Sequence, residues 1–84
     1  MTSTIEISFY PLNNEYPATV VGFLQKLETI QGIEMQTNGM STILIGPFDQ
    51  MWSELGKRIE SEFATEDCIF VLKAASGRRE YVRG

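Results

Sequence analysis

The sequence has no histidine and a single cysteine, Cys68. Without histidine, Cys-His and Ser-His nucleophile arrangements are excluded, and so are most zinc sites. A lone cysteine builds no intrachain disulfide framework, which fits a reducing compartment. Cations are also scarce. Seven lysines and arginines stand against eleven carboxylates, a formal net charge of −4. A nucleic-acid binder draws much of its affinity from neutralising phosphates, so this balance argues against one. It is compatible with a cationic ligand, although mild acidity also serves solubility. No apolar run is long enough to span a membrane. Met1-Thr2-Ser3-Thr4 lacks the basic region and apolar stretch of a secretory signal. A soluble cytoplasmic protein is the expectation.

What is present is a chain of 84 residues with 43% hydrophobic content, enough for one domain with a thin core. Ile5, Ile7 and Phe9 alternate with Glu6, Ser8 and Tyr10, the period of a strand with one apolar face. Pro11 ends it, and Asn13-Asn14 offers a turn and a helix N-cap. Pro17 suits a first helical turn, and Val20, Phe23, Leu24, Leu27 and Ile30 form a core-facing stripe. Gln31-Gly32 supplies the stop. Residues 33–37 read as a second strand. Asn38-Gly39 predicts a tight hairpin of type I′, in which both central residues take positive φ. The third strand covers residues 41–46, with Ile43 and Ile45 expected inward and Thr42 and Leu44 outward. Gly46-Pro47 breaks it. Phe48, Met51, Trp52, Leu55, Ile59 and Phe63 form the stripe of a second helix and read as core, with Glu62 among its solvated charges. Residues 68–75 form a fourth strand, apolar on both faces.

The order strand, helix, strand, strand, helix, strand predicts an α+β, ferredoxin-like βαββαβ domain. Its four-stranded antiparallel sheet has the order 4-1-3-2, with both helices on one face. The domain spans residues 1–77. Residues 78–84 form a polar tail, disordered or a short strand through Tyr81 and Val82. The uncovered sheet face mixes apolar and polar residues, and a second subunit is its expected cover.

Two segments carry a resemblance. Ile7-Ser8-Phe9-Tyr10-Pro11-Leu12 is similar to the opening strand of the thiamine-binding, YkoF-like proteins. Thr37-Asn38-Gly39-Met40-Ser41-Thr42, followed by Ile45-Gly46-Pro47-Phe48-Asp49, resembles the central hairpin of that family and its run into the second helix. The resemblance implies a homo-oligomer, dimer or tetramer, joined through sheet faces. It also implies non-catalytic binding of thiamine or its hydroxymethylpyrimidine moiety on the open face at a subunit interface. Ser8 and Thr42 would hydrogen-bond the aminopyrimidine, Tyr10 would border or stack on the ring, and Asn38 and Ser41 would shape the mouth. The resemblance extends to Gly77, and the segment after it is not matched to the family.

Each of these residues also has a simpler reading. Thr42 suits a strand by propensity, Asn38-Gly39 is first a turn signal, and Tyr10 has the simpler role of capping the sheet edge beside Pro11. Glu6 and Glu34 are placed to attract a cation or to pair across strands. Cys68 reads as a small buried hydrophobe rather than a reactive thiol. The competing functions are a metabolite-sensing or interaction domain for another ligand, and a cofactor-free enzyme on the same fold. An enzyme needs an acid or base, and only Glu6, Glu34, Tyr10 or Lys73 is available, with no diagnostic spacing. The expectation is therefore no catalytic residue, no metal and no cofactor other than the ligand itself.

Overall fold

A computed structural model describes residues 1–80. Strand β1 (Thr2–Pro11) is followed by helix α1 (Tyr16–Glu28), strands β2 (Glu34–Thr37) and β3 (Thr42–Pro47), helix α2 (Phe48–Thr65) and strand β4 (Cys68–Ser76). The strands form one antiparallel sheet in the order β2-β3-β1-β4. The ferredoxin-like α+β order expected from the sequence is therefore the observed fold. Among the described residues, no helix is long and apolar enough to cross a membrane.

The alternation in β1 sets the layers. Ile5 and Ile7 are buried in the core with Phe23, Leu27 and Ile30 of the α1 region and Met51 and Leu55 of α2. Each fully buried apolar side chain of this kind contributes about 1.5–3 kcal/mol. Phe9 extends this face through an aromatic cluster. Its ring stacks on Phe70 at 4.4 Å, and Phe23 lies 5.0 Å from Phe9 and 4.9 Å from Phe70.

Strand β3 corrects one expectation. Ile5 pairs with Leu44 and Ile7 with Thr42, so Leu44 and Thr42 share the helix-facing side. Leu44 is fully buried there. Ile43 and Ile45 pair with Glu6 and Thr4 and lie on the open face. The inversion follows from the period of two: both residue pairs in β3 contain an apolar member, so composition left the phase open and the pairing register decided it.

The β2–β3 hairpin differs as well. Among the described residues only Gly32 and Gly77 have positive φ, so Asn38-Gly39 does not form a type I′ turn. Instead the Asn38 side chain accepts from the backbone N–H groups of Met40 (2.7 Å) and Ser41 (3.0 Å), and the Asn38 N–H donates to the Ser41 carbonyl at 3.0 Å. The asparagine carboxamide closes a longer loop by itself, removing the need for left-handed backbone. At the start of α1, Asn13 accepts from the Glu15 N–H at 2.9 Å, while the N-cap position, Glu15, makes no side-chain cap.

Helix α2 corrects two more expectations. Trp52 and Phe63 are 56% and 58% exposed, and Phe48 is also exposed, so half of its apolar stripe lies outside the core. Glu62 is buried and bonded to Lys26 Nζ at 2.7 Å, tying α2 to α1. The glycine at position 46 is a requirement of packing: a Cβ there would approach Ile33 Cγ2 to 2.8 Å.

The chain after β4 covers part of the open face. Gly77, with φ +72°, turns it back over the sheet. The Thr4 hydroxyl donates to the Gly77 carbonyl and accepts from the Arg79 N–H, both at 2.9 Å. The Arg78 guanidinium reaches the Glu34 carboxylate on β2. Glu34, Ile45, Thr4 and Ala75 form one row across the sheet, so residues 77–80 span it from edge to edge. This strap accounts for the burial of Thr4 and of Ile45 on a face that no helix covers. The expected polar tail is thus ordered through Glu80, and the strand considered through Tyr81 and Val82 lies outside the described residues.

Candidate functional site

The first turns of α1 stand over the end of the sheet where the β2–β3 hairpin projects. Between them is a cavity of about 80 Å³. Its apolar wall comes from Phe23, Leu24 and Val20 of α1 with Phe9 and Ile7 of β1. Its polar rim comes from the hairpin residues Thr37, Asn38, Ser41 and Thr42, with Tyr16 and Met40 at the opening, and Ser8 also lines it. The apolar wall exists because α1 repeats apolar residues at three- and four-residue spacing over β1. The polar rim exists because the hairpin supplies hydroxyls and amides where a strand would otherwise continue.

The structure brings four of the five expected binding residues to this cavity and sets one apart. Thr42 is buried on the helix-facing side, where its hydroxyl and that of Thr37 lie 3.1 Å apart. Asn38 holds the loop by its side-chain oxygen. Ser41 donates to Glu6 Oε2 at 3.1 Å, which places a carboxylate next to the rim. Ser8 lines the cavity within β1, but its pairing with Val71 puts its side chain on the open face with Glu6. Tyr10 pairs with Ile69 on that same open face, is 45% exposed and does not line the cavity. This cavity therefore lies on the helix side of the sheet. Open-face placement of Thr42 was the misplaced element, for the phase reason given for β3.

Tyr16 and Met40 were not singled out from the sequence as cavity residues. Tyr16 precedes Val20 by one helical repeat, so the α1 stripe continued backward was the available signal. Met40 gave none; it is 87% exposed at the tip of the loop.

The charges near the site do not make a catalytic pair. Among the described lining residues Tyr16 is the one titratable side chain. Glu6 lies 3.9 Å from Lys73 across the β1–β4 ladder, outside the cavity. Glu34 is engaged by Arg78, whose hydrogen bond holds its carboxyl below the usual range. At the other end of the sheet, burial pushes the Cys68 thiol up, and the carboxylates of Glu66, Glu62 and Asp67 add to the shift. A thiol so placed is a poor nucleophile. Among the described residues no group of three or more Cys, Asp or Glu side chains is arranged to hold a metal ion.

No protein-family model matches the chain, and no curated protein matches it. Solved structures do. A protein of Streptococcus pneumoniae superposes with a TM-score of 0.82 at 22% identity, over 93% of this chain and 89% of that one. A candidate thiamine biosynthesis/salvage protein of Thermotoga maritima superposes with a TM-score of 0.81 at 11% identity, over 92% and 85%. A domain of unknown function from Bacillus cereus gives 0.75 at 15% identity, over 99% and 83%. At these identities the likeness is one of fold: the chain shares its ferredoxin-like architecture with all three over nearly their whole length.

Proposed function

We propose that this protein binds thiamine, or the hydroxymethylpyrimidine part of it, without catalysing a reaction. The observation that carries the reading is the cavity under α1, where an aromatic and aliphatic wall stands opposite the buried Thr42 and its partner Thr37, with Asn38 and Ser41 of the hairpin also in the lining. An aminopyrimidine is a flat ring with apolar faces and an edge of alternating donors and acceptors. Such a ring needs a dry wall for its faces and a few fixed polar groups for its edge. The Thermotoga maritima neighbour supports the same ligand class. So does the similarity of the two quoted segments to the thiamine-binding, YkoF-like proteins.

The size of the cavity adds a condition. An apolar cavity of about 150 Å³ accommodates a benzene ring, and this one measures about 80 Å³. The ring therefore enters with an outward movement of the loop around Met40. The Met40 backbone is held by one hydrogen bond, to the Asn38 side-chain oxygen, and its side chain is exposed, so its displacement breaks few contacts. The rest of the ligand leaves the cavity past Ser41, beside the Glu6 carboxylate, which suits a thiazolium cation. Binding rather than turnover is favoured because the lining offers no acid–base pair.

Isothermal titration with thiamine and, separately, with hydroxymethylpyrimidine tests the proposal. Saturable binding is expected, weakened about tenfold by Thr42→Val, the loss of one good hydrogen bond. Ser8→Ala, on the opposite face, is expected to leave the affinity nearly unchanged. Absence of heat and of thermal stabilisation at millimolar concentrations of both ligands would reject the assignment. Binding abolished by Ser8→Ala or Tyr10→Ala and untouched by Thr42→Val would move the site to the open face.

A further inference from the structure

Strand β4 ends the sheet, and among the described residues its outer edge has no hydrogen-bonding partner. It is nine residues long and carries one charge, Lys73. Long, apolar, unpaired edges are normally shortened, charged or covered, because they pair with other strands. Here the surroundings make pairing more favourable. Trp52, Gly56, Ile59 and Phe63 fall on one flank of α2 by their spacing. That flank lies away from α1, because Arg58 and Glu62 on the other side bond to Lys26 and Thr29 of the α1 end. Phe63 sits 5.8 Å from Phe70 of β4, so the exposed stripe stands directly beside the open edge. Trp52 stacks on Phe48 at 5.9 Å at the other end of the stripe.

We propose that this flank is a dimer interface, at which β4 pairs antiparallel with β4 of a second copy and the two α2 helices pack above it. A second copy fits because the surface is complementary to itself. The middle residue of β4 is Leu72. A twofold axis there sets Phe70 opposite Ala74, Val71 opposite Lys73 and Cys68 opposite Ser76, each residue of one copy against the other of its pair. Large faces small, and the single cation faces an aliphatic side chain, so no like charges meet across the edge.

The helices obey the same axis. Trp52 and Phe63 are three turns apart, roughly 16 Å at 1.5 Å per residue. Five strand residues span about the same length, so with Phe63 beside Phe70, Trp52 stands level with Ala75. The midpoint of the stripe therefore falls over the midpoint of β4. Trp52 of one copy meets Phe63 of the other, with Gly56, where no neighbour lies within 4 Å, near the axis.

A cavity explains where the bulk goes. Beside the strand, Met1, Ser3, Phe48, Ala74, Ala75 and Ser76 line a hollow of about 240 Å³ that the chain itself leaves open. The twofold axis directs Phe63 of the second copy toward that hollow. The Ser3 hydroxyl is buried there without a hydrogen-bond partner. The area is adequate. At roughly 200 Å² per aromatic side chain, the exposed parts of Phe48, Trp52 and Phe63 present on the order of 300 Å² per copy. With the two strands, Ile69 and Val71, the total approaches the roughly 1,200 Å² at which specific interfaces begin. The contact is separate from the ligand cavity and meets the open sheet face only at its β4 margin, through Ile69 and Val71.

Light scattering coupled to size exclusion tests the interface. The expected mass is that of a dimer, and the double variant Trp52→Lys, Phe63→Lys is expected to halve it while retaining the circular dichroism of the fold. Register is tested by Ser76→Cys, which uses the native Cys68. Directly opposed residues of an antiparallel pair lie about 4.5–5.5 Å apart between Cα atoms, within disulfide range. Mild oxidation is expected to link nearly all Ser76→Cys chains into covalent dimers and to leave the wild type unlinked. A monomeric wild type would overturn the proposal. So would a dimer that survives the double Lys variant and is dissociated by Ile43→Lys on the open face. A dimer that fails to cross-link in the Ser76→Cys variant would overturn the register.

Discussion

The two edges of this sheet are built in opposite ways. Strand β2 has four residues, two of them polar on the open face, and it ends in the hairpin that rims the cavity. Its first residue, Glu34, is held from across the sheet by Arg78. Strand β4 has nine residues, one charge, an aromatic cluster beneath it and, among the described residues, no strand paired to its outer side. One edge is short and pinned and rims a cavity. The other is long and apolar and is available to a second chain. In a domain of 84 residues with a thin core, both arrangements serve the same end. Under the two proposals made above, apolar surface that the two helices cannot cover is offered to a ligand at one edge and to a partner at the other.

The difference predicts unequal dependence of stability on the two strands. Phe70 anchors β4 by contacts with Phe9, Phe23 and Phe63. Phe70→Ala is expected to cost about 3 kcal/mol, at the lower end for a buried aromatic because Phe70 is partly exposed. Met35, the apolar residue of β2 packed on the core, has fewer neighbours to lose at its sheet edge. Met35→Ala is expected to cost less than half as much. Urea unfolding of both variants decides the order. Equal losses would mean that the edges contribute alike to the core and that the contrast is one of length alone.

The sequence carried the architecture because most elements announce themselves by period. The alternation of Ile5, Ile7 and Phe9 and the spacing of Phe23 and Leu27 each admit one phase. Strand β3 does not. Thr42-Ile43-Leu44-Ile45 is β-forming on both faces, and pairing with β1 chose Leu44 for the core. Helix α2 carries an apolar stripe broader than the core it meets. Periodicity therefore showed Trp52 and Phe63 as apolar positions but not as exposed ones. Glu62 is misread for the complementary reason: its charge suggests solvent, and its partner Lys26 lies on the other helix. The candidate residues Asn38, Ser41 and Thr42 were legible as a cluster because the hairpin keeps them adjacent. The α1 wall opposite them became visible only with the fold.

A smaller effect examines the polar rim of the β2 edge. Thr37 and Thr42 face each other across the hairpin, with hydroxyls 3.1 Å apart. Thr42→Val keeps the shape and leaves the Thr37 hydroxyl without this partner, at an expected cost of about 1 kcal/mol. The double variant Thr37→Val, Thr42→Val removes both groups and is expected to recover most of that loss. If the double variant is no more stable than Thr42→Val alone, the hydroxyl pair contributes little to the fold, and its presence is explained by the ligand.

The smallest effects concern two carboxylates, one at each edge, whose signs are opposite. Glu34 on β2 has its pKa lowered, chiefly by the hydrogen bond from Arg78. A lowered pKa means stability that is present at neutral pH and lost as pH falls through the carboxylate range. Glu66, just before β4, has its pKa raised, chiefly by its hydrogen bond to Glu62 and then by burial. A raised pKa means a cost that is present at neutral pH and relieved as pH falls through the same range. Glu34→Gln is therefore expected to lower the melting temperature at pH 7, and Glu66→Gln to raise it slightly while keeping an acceptor for Asn13. Both differences from wild type should vanish in acid, that of Glu66 below the ordinary carboxylate pKa and that of Glu34 only below its own lowered pKa. Thermal melts at the two pH values separate this from a packing effect, which would persist in acid. A Glu66→Gln protein less stable than wild type at pH 7 would mean that the bond from Asn13 outweighs the repulsion from Glu62, and that the approach to β4 is as firmly held as Glu34 on β2.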